Sequence, residues 1–168
     1  YRLLRQRPAE AASAFSDVPD NAWYAQPVNA LAELGIVQGV GGGLYLPEQP
    51  ITRGEFALLA SRFCRNVSVQ ASFSDMQAGD AVWDAAAAMC HYGLMEPDAQ
   101  GAFRPDGEIA RAEAVRIVNR MLGREPDEQA LDGESQRFAD LPTGSAGYYD
   151  IMEAAGGELP AAHSPPAD

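Results

Sequence analysis

Phe15-Ser16-Asp17 opens a stretch that returns 58 positions later as Phe73-Ser74-Asp75, and the match keeps its register well beyond those three residues. At that one offset Gly35 meets Gly93, Gly43 meets Gly101 and Tyr45 meets Phe103. Further along, Pro47 meets Pro105, Ile51 meets Ile109, Arg53 meets Arg111, Glu55 meets Glu113 and Arg62 meets Arg120. A third copy begins at Phe138-Ala139-Asp140 and runs for one helical segment. A fixed period of this length marks a modular array in which each unit buries its apolar face against its neighbours. Such an array favours a binding or anchoring module over a single enzyme pocket.

Each unit reads as helix, glycine-rich loop, helix. Ser16, Asp17, Pro19, Asp20 and Asn21 supply turn and capping chemistry before a helix expected over 22–34, striped by Val28, Leu31 and Ala32. Gly35 follows at the position where a left-handed residue ends a helix. Gly39, Gly41, Gly42 and Gly43 make the loop, and Pro50 holds Gln49 out of the helical region. The second helix, expected over 52–66, carries Phe56, Leu59, Ala60 and Phe63 at i, i+3, i+4, i+7. The same plan predicts helices over 81–92 and 110–122, then an acidic linker from Gly123 to Gln136 and a last helix over 147–155. One unit cannot bury its own stripes well, so the helices are expected to cluster. The first helices should share a core through Val28, Leu31, Ala86, Met89 and Ile151. The implied divisions are 1–14, the end of a preceding repeat; 15–72, a repeat; 73–137, a repeat with its linker; and 138–168, a partial repeat with a loosely ordered tail. Tyr1-Arg2-Leu3-Leu4-Arg5 reads as the back half of a helix, as expected of a piece of a larger protein.

A hydrophobic fraction of 46% suffices for a packed core. The net charge of −12 argues against phosphate-mediated nucleic-acid binding, which needs a basic surface. All twelve basic residues are Arg, so any cationic site is a guanidinium, suited to carboxylates and phosphates. Cys64 and Cys90 sit in helical-looking segments and are expected to be buried free thiols. No stretch approaches the ~20 apolar residues of a membrane span. His91 and His163 are single and distant in sequence, and Asp98-Ala99-Gln100-Gly101 lacks the ligand series of a calcium loop. No metal or cofactor is expected.

Thr52-Arg53-Gly54-Glu55 is the sharpest local motif. Thr52 and Glu55 have the spacing of a capping box, and Glu113 recurs at the same capping position. Arg53 and Arg111 are not explained that way, because a cation in the first turn faces the positive end of the helix dipole. Two readings stand side by side: an anion site built from Arg and free helix amides, or an Arg paired with a nearby carboxylate. Recurrence in register favours the anion site. On that reading, replacing either Arg should weaken ligand binding and leave the thermal midpoint nearly unchanged.

The order Phe-Ser-Asp-Val-Pro, Trp, Gly-Ile-Val, a glycine-rich loop, aromatic-x-Pro, then Ile-Thr-Arg-Gly-Glu-Phe resembles the S-layer homology (SLH) repeat. Tyr148-Tyr149-Asp150-Ile151-Met152-Glu153-Ala154 is similar to the third repeat of such proteins, and the resemblance runs from the start to about residue 155. It implies three repeats about a pseudo-threefold axis, with one helix from each in a central bundle. It also implies anchoring of an exported protein, extracellular on the bacterial surface of a Gram-positive cell. The partner would be a secondary cell-wall polysaccharide, often pyruvylated. The motif arginine contacts ligand in that family and maps to Arg53 and Arg111. Trp23 maps to a helix-start aromatic, with Trp83 and Tyr148 the nearest aromatics in the other units; packing in the core is the competing role for the tryptophans. Gly54 stands where the motif usually has Ala, and Ala110 where it has Thr.

Two other functions remain to compare. Glycan hydrolysis would need a pair of acids, and Glu55 and Glu113 already have a capping role, so no catalytic residue is expected. A protein–protein docking or surface-assembly module would use the same repeat surface. Other domains of a larger surface protein are further expected partners.

Overall fold

The computed structural model describes residues 12–132 and 138–156. The helix end expected at Tyr1–Leu4, the linker's last residues and the tail beyond Gly156 lie outside the described residues. Among the described residues the elements are six helices: α1 Ala25–Glu33, α2 Arg53–Ser61, α3 Trp83–His91, α4 Arg111–Met121, α5 Glu128–Asp132 and α6 Tyr148–Gly156. Among the described residues there is no strand, only isolated bridges at Gly41–Leu44 and Thr52–Glu108. The protein is all-α.

The first helices start later than expected because single turns precede them. Ala25 N donates to Ala22 O at 3.0 Å, and Trp83 N to Asp80 O at 3.0 Å. The second helix ends at Ser61 rather than near 66, where Phe63 N reaches Ala60 O and Cys64 N reaches Ser61 O in tightened turns. Gly35 and Gly93 close α1 and α3 with φ of 68° and 64°, the left-handed conformation that glycine adopts without strain. Helix α5 falls inside the expected linker. Asp127 starts it by accepting from Ala130 N at 3.1 Å, and Leu131 buries itself against Tyr148 and Met152.

Two side chains give each unit the same internal frame. Asp17 accepts from Tyr45 N at 2.8 Å and Leu46 N at 2.7 Å. Asp75 accepts from Phe103 N at 2.9 Å and Arg104 N at 2.7 Å. These bonds hold Leu46 and Arg104 at a φ of 58°, a region that non-glycine residues enter only when surroundings enforce it. Arg62 then ties α2 to the end of α1 through Gly35 O at 2.7 Å, and Arg120 ties α4 to Gly93 O at 2.8 Å.

The helices do not meet as expected. Close packing pairs α2 with α3, α4 with α6, and α5 with α6. The second helix of each unit therefore packs on the first helix of the next. Val28 belongs to a cluster with Phe15, Val18, Ala25 and Val37, with Leu31 at its edge. Ala86 and Met89 belong to another, with Ala57, Ala60, Phe73 and Phe103. Ile151 is buried but joins neither of them. The common core of first helices is thus replaced by a relay between successive units. The reason is steric: Ala85, Ala86 and Ala87 make α3 thin enough for α2, through Ala57 and Ala60, to come close.

Candidate functional site

The start of α2 carries the recurrent motif. Thr52 Oγ1 accepts from Glu55 N at 3.1 Å, and Glu55 Oε2 accepts from Thr52 N at 2.9 Å, a reciprocal capping box. The neighbouring amides are also taken. Arg53 N donates to Gly107 O at 2.7 Å and Gly54 N to Pro105 O at 2.8 Å. Both acceptors lie in the loop of the second unit, so that backbone fills the place expected for an anion.

The Arg53 side chain follows the same direction. Its Nη1 forms an ion pair with Glu113 Oε1. Its Nε donates to Phe103 O at 2.8 Å and its Nη2 to Glu96 O at 3.1 Å. The guanidinium carbon lies 5.1 Å from the centre of the Phe103 ring, within cation–π range. With its side chain only 14% exposed, Arg53 clamps two units together. This corrects the expectation of a ligand-facing arginine here, because three acceptors of the second unit use its donors. Glu113 is corrected with it: Ala110 offers no hydroxyl and no side-chain cap to α4, and the Glu113 carboxylate serves Arg53.

The interface also explains Gly54. A Cβ there would lie 2.9 Å from Pro105 O and 3.2 Å from Val82 Cγ2. The next interface solves the same crowding from the other side. Ala112 replaces Gly54 in register, and it faces Gly147, where a Cβ would come within 2.6 Å of the Ala112 Cβ.

Arg111 is exposed at the first turn of α4. Its guanidinium sits 5.5 Å from the centre of the Phe138 ring, and no carboxylate among the described residues pairs with it. The aromatics divide sharply. Trp23 is 89% exposed, with its ring edge-on to Tyr24 at 5.5 Å. Trp83 sits two positions later in its unit, turns inward and packs edge-on to Phe73 at 5.1 Å. Tyr148 is 3% exposed, between Leu131 and Met152. Trp83 and Tyr148 are therefore packing residues, and the core reading of Trp23 fails.

Two grooves flank these elements. One, of about 500 Å³, lies on the first unit between Gln38, Tyr45, Pro47, Gln49, Glu55 and Arg62. The other, of about 450 Å³, runs along α4 and α6 and includes Arg116, Arg120, Arg124 and Tyr149. Those three arginines lie at i, i+4 and i+8, a spacing visible in the sequence but not singled out there. Arg116 Nε donates to Asp150 Oδ2 at 3.0 Å.

The remaining chemical groups have structural partners. Asp98 accepts from the amides of Ala102 and Gln100 and from Arg104, and the Ala102 amide leads in holding its carboxyl below the usual range. Cys64 and Cys90 are free and half-buried rather than fully buried, and desolvation pushes both thiols up. Among the described residues no group of side chains is arranged to hold a metal. Within the same residues, no helix is long and apolar enough to cross a membrane.

The chain is similar to several surface proteins. It shares 28% identity over 159 residues with Cell surface glycoprotein 1 of Acetivibrio thermocellus, covering 88% of this chain and 7% of that protein. It shares 29% over 146 residues with the Cellulosome-anchoring protein of the same organism, covering 83% and 32%. A third relative, the Surface-layer 125 kDa protein of Lysinibacillus sphaericus, is 29% identical over 143 residues, covering 81% and 11%. The chain thus spans less than a third of the length of each. The profile of the S-layer homology domain matches residues 14–57 and 72–115, one stretch for each of the two copies that share the 58-residue register. With two matched repeats that share one frame and dock through one motif, the chain belongs to the S-layer homology domain family.

Proposed function

We propose that this chain is an extracellular anchoring module that holds a larger exported protein to the bacterial cell wall by binding an acidic wall polysaccharide. Arg111 carries the reading: it is exposed, at a helix start, and unmatched by any carboxylate among the described residues of a chain with net charge −12. A carboxylate on the polymer, such as a pyruvyl substituent, suits a guanidinium beside helix amides. Each charge-assisted bond contributes about 1.5–3 kcal/mol. Trp23 offers a second contact, an aromatic face on which a sugar ring of a long polymer can stack. The names of the surface-layer and cellulosome-anchoring relatives support the cell-surface setting.

The test is sedimentation of the protein with purified wall polymer, before and after removal of its acidic substituents. Binding should depend on the substituents and fall at least tenfold in Arg111→Ala. Equal binding to stripped polymer, or by Arg111→Ala, overturns the reading.

A further inference from the structure

The segment 65–72 joins the two full units and has no regular secondary structure. Its side chains alternate. Val67, Val69 and Ala71 are half-buried, the last two against the core of the second unit, while Asn66, Ser68, Gln70 and Ser72 are exposed. That alternation belongs to an extended backbone, in which residues i and i+2 share a face. Tyr92 Oη donates to Arg65 O at 3.1 Å and pins the start of the segment. Beyond that point, among the described residues, no amide of 66–72 donates to a backbone carbonyl, and the Asn66 carboxamide makes no hydrogen bond.

Asn66-Val67-Ser68 is also the one Asn-x-Ser/Thr triplet of this chain, with no proline in the middle. The other asparagines lack a hydroxyl two residues on: Asn21 precedes Ala22-Trp23, Asn29 precedes Ala30-Leu31 and Asn119 precedes Arg120-Met121. Two of them are buried and engaged as well. Asn29 Oδ1 accepts from Ala14 N at 3.1 Å, and Asn119 Nδ2 donates to Asp150 O at 2.8 Å. At the 58-residue offset the second unit has Arg124-Glu125-Pro126, so the plan of the repeat does not account for the triplet.

We propose that Asn66 is an acceptor for N-linked sugar, glycosylated on the folded protein. The donor is a glycosyl diphosphate, carried on a nucleotide or on a lipid. Asn66 Nδ2 bonds to C1 of the sugar as the C1–O bond to the diphosphate breaks. The diphosphate leaves with that electron pair, and the amide gives up one proton. The Ser68 hydroxyl, two residues on and on the same outward face, is the group that a transferase reads beside the asparagine. Transfer needs no unfolding, because that face is open and the segment has no backbone bonds to break. The inference goes beyond the polysaccharide reading and stands without it, since it uses neither Arg111 nor wall polymer.

Trypsin digestion of the protein recovered from its host cells should give a peptide over 66–111, because Pro105 blocks cleavage after Arg104, and Asn66 is its only asparagine. Fragment masses should place a sugar on Asn66, and a bare Asn66 overturns the proposal. The donor is read on the purified folded chain in two arms. One supplies UDP-glucose with a soluble N-glycosyltransferase, the other a lipid-diphosphate glycan with an oligosaccharyltransferase. At least one arm should label Asn66, and the arm that does so identifies the carrier. Ser68→Ala should abolish labelling without moving Tm, Ser68→Thr should retain it, and Asn29 and Asn119 should stay bare. Labelling in neither arm, labelling only after unfolding, or equal labelling of Ser68→Ala overturns the proposal.

Discussion

Arg53 and Glu113 come from the same motif in successive units, and they pair with each other. The two copies therefore make a joint: Arg53 leaves the unit that carries it, and Glu113 of the next unit receives it. The joint also includes backbone, since Gly54 N and Arg53 N are bonded to the loop that carries Pro105 and Gly107.

Arg53→Ala should cost stability first. Removing one partner of a largely buried pair leaves the other charge and two carbonyls without their donor, a loss of roughly 3 kcal/mol. For a chain of this size that lowers Tm by on the order of 5–10 °C. Glu113→Gln should cost less, and the double variant should fall short of the sum. Thermal unfolding of the four proteins checks this; strict additivity would show that the pair is not coupled.

Gly54→Ala tests steric fit against helix propensity. Propensity favours Ala by about 1 kcal/mol, but the new Cβ would crowd Pro105 O, a backbone atom bonded to the same residue's amide. The net effect should be destabilising, and Val82→Ala should not rescue it. At the second interface Gly147→Ala should destabilise, and Ala112→Gly should restore part of the loss by removing the facing methyl. Denaturant midpoints for the single and paired variants decide both points.

Trp23→Ala should leave Tm within about 1 °C of the parent, because an exposed ring contributes little to packing. The same variant should bind wall polymer more weakly. Trp83→Ala should do the reverse, lowering stability through the lost contact with Phe73. Parallel unfolding and polymer sedimentation separate the two roles.

Acid should loosen the loop that precedes α2. The Tyr45 amide, aided by that of Leu46, holds the Asp17 carboxyl below its ordinary 3.8. Its folded value is lowered, so its contribution is complete above the unfolded value and is lost as pH falls through the folded one. Amide exchange at Tyr45 and Leu46 should therefore rise at acid pH in the parent. In Asp17→Asn exchange should be fast throughout and lack that step.

Much of the architecture is legible in local chemistry. The 58-residue register is a pattern of the sequence itself, and the capping pair Thr52 and Glu55 and the glycines that end α1 and α3 depend on residues a few positions apart, so propensity and spacing suffice to find them. Helix α5 was missed because its five residues fold only with Leu131 buried against Tyr148 and Met152, a contact from the next unit.

The roles of the motif residues were decided in three dimensions. Arg53 and Arg111 are equivalent in sequence, yet one is buried in a joint and the other is exposed. Trp23 and Trp83 differ by two register positions, and that shift turns one ring to solvent and the other to Phe73. Spacing specifies which helix face a side chain occupies. What meets that face depends on the unit that follows, and an arginine at a helix start is satisfied by whichever acceptors, from protein or ligand, the tertiary structure brings there. The sequence by itself thus determined the repeat and its helices, and the packing of one unit on the next decided which of its arginines could still meet a partner outside the chain.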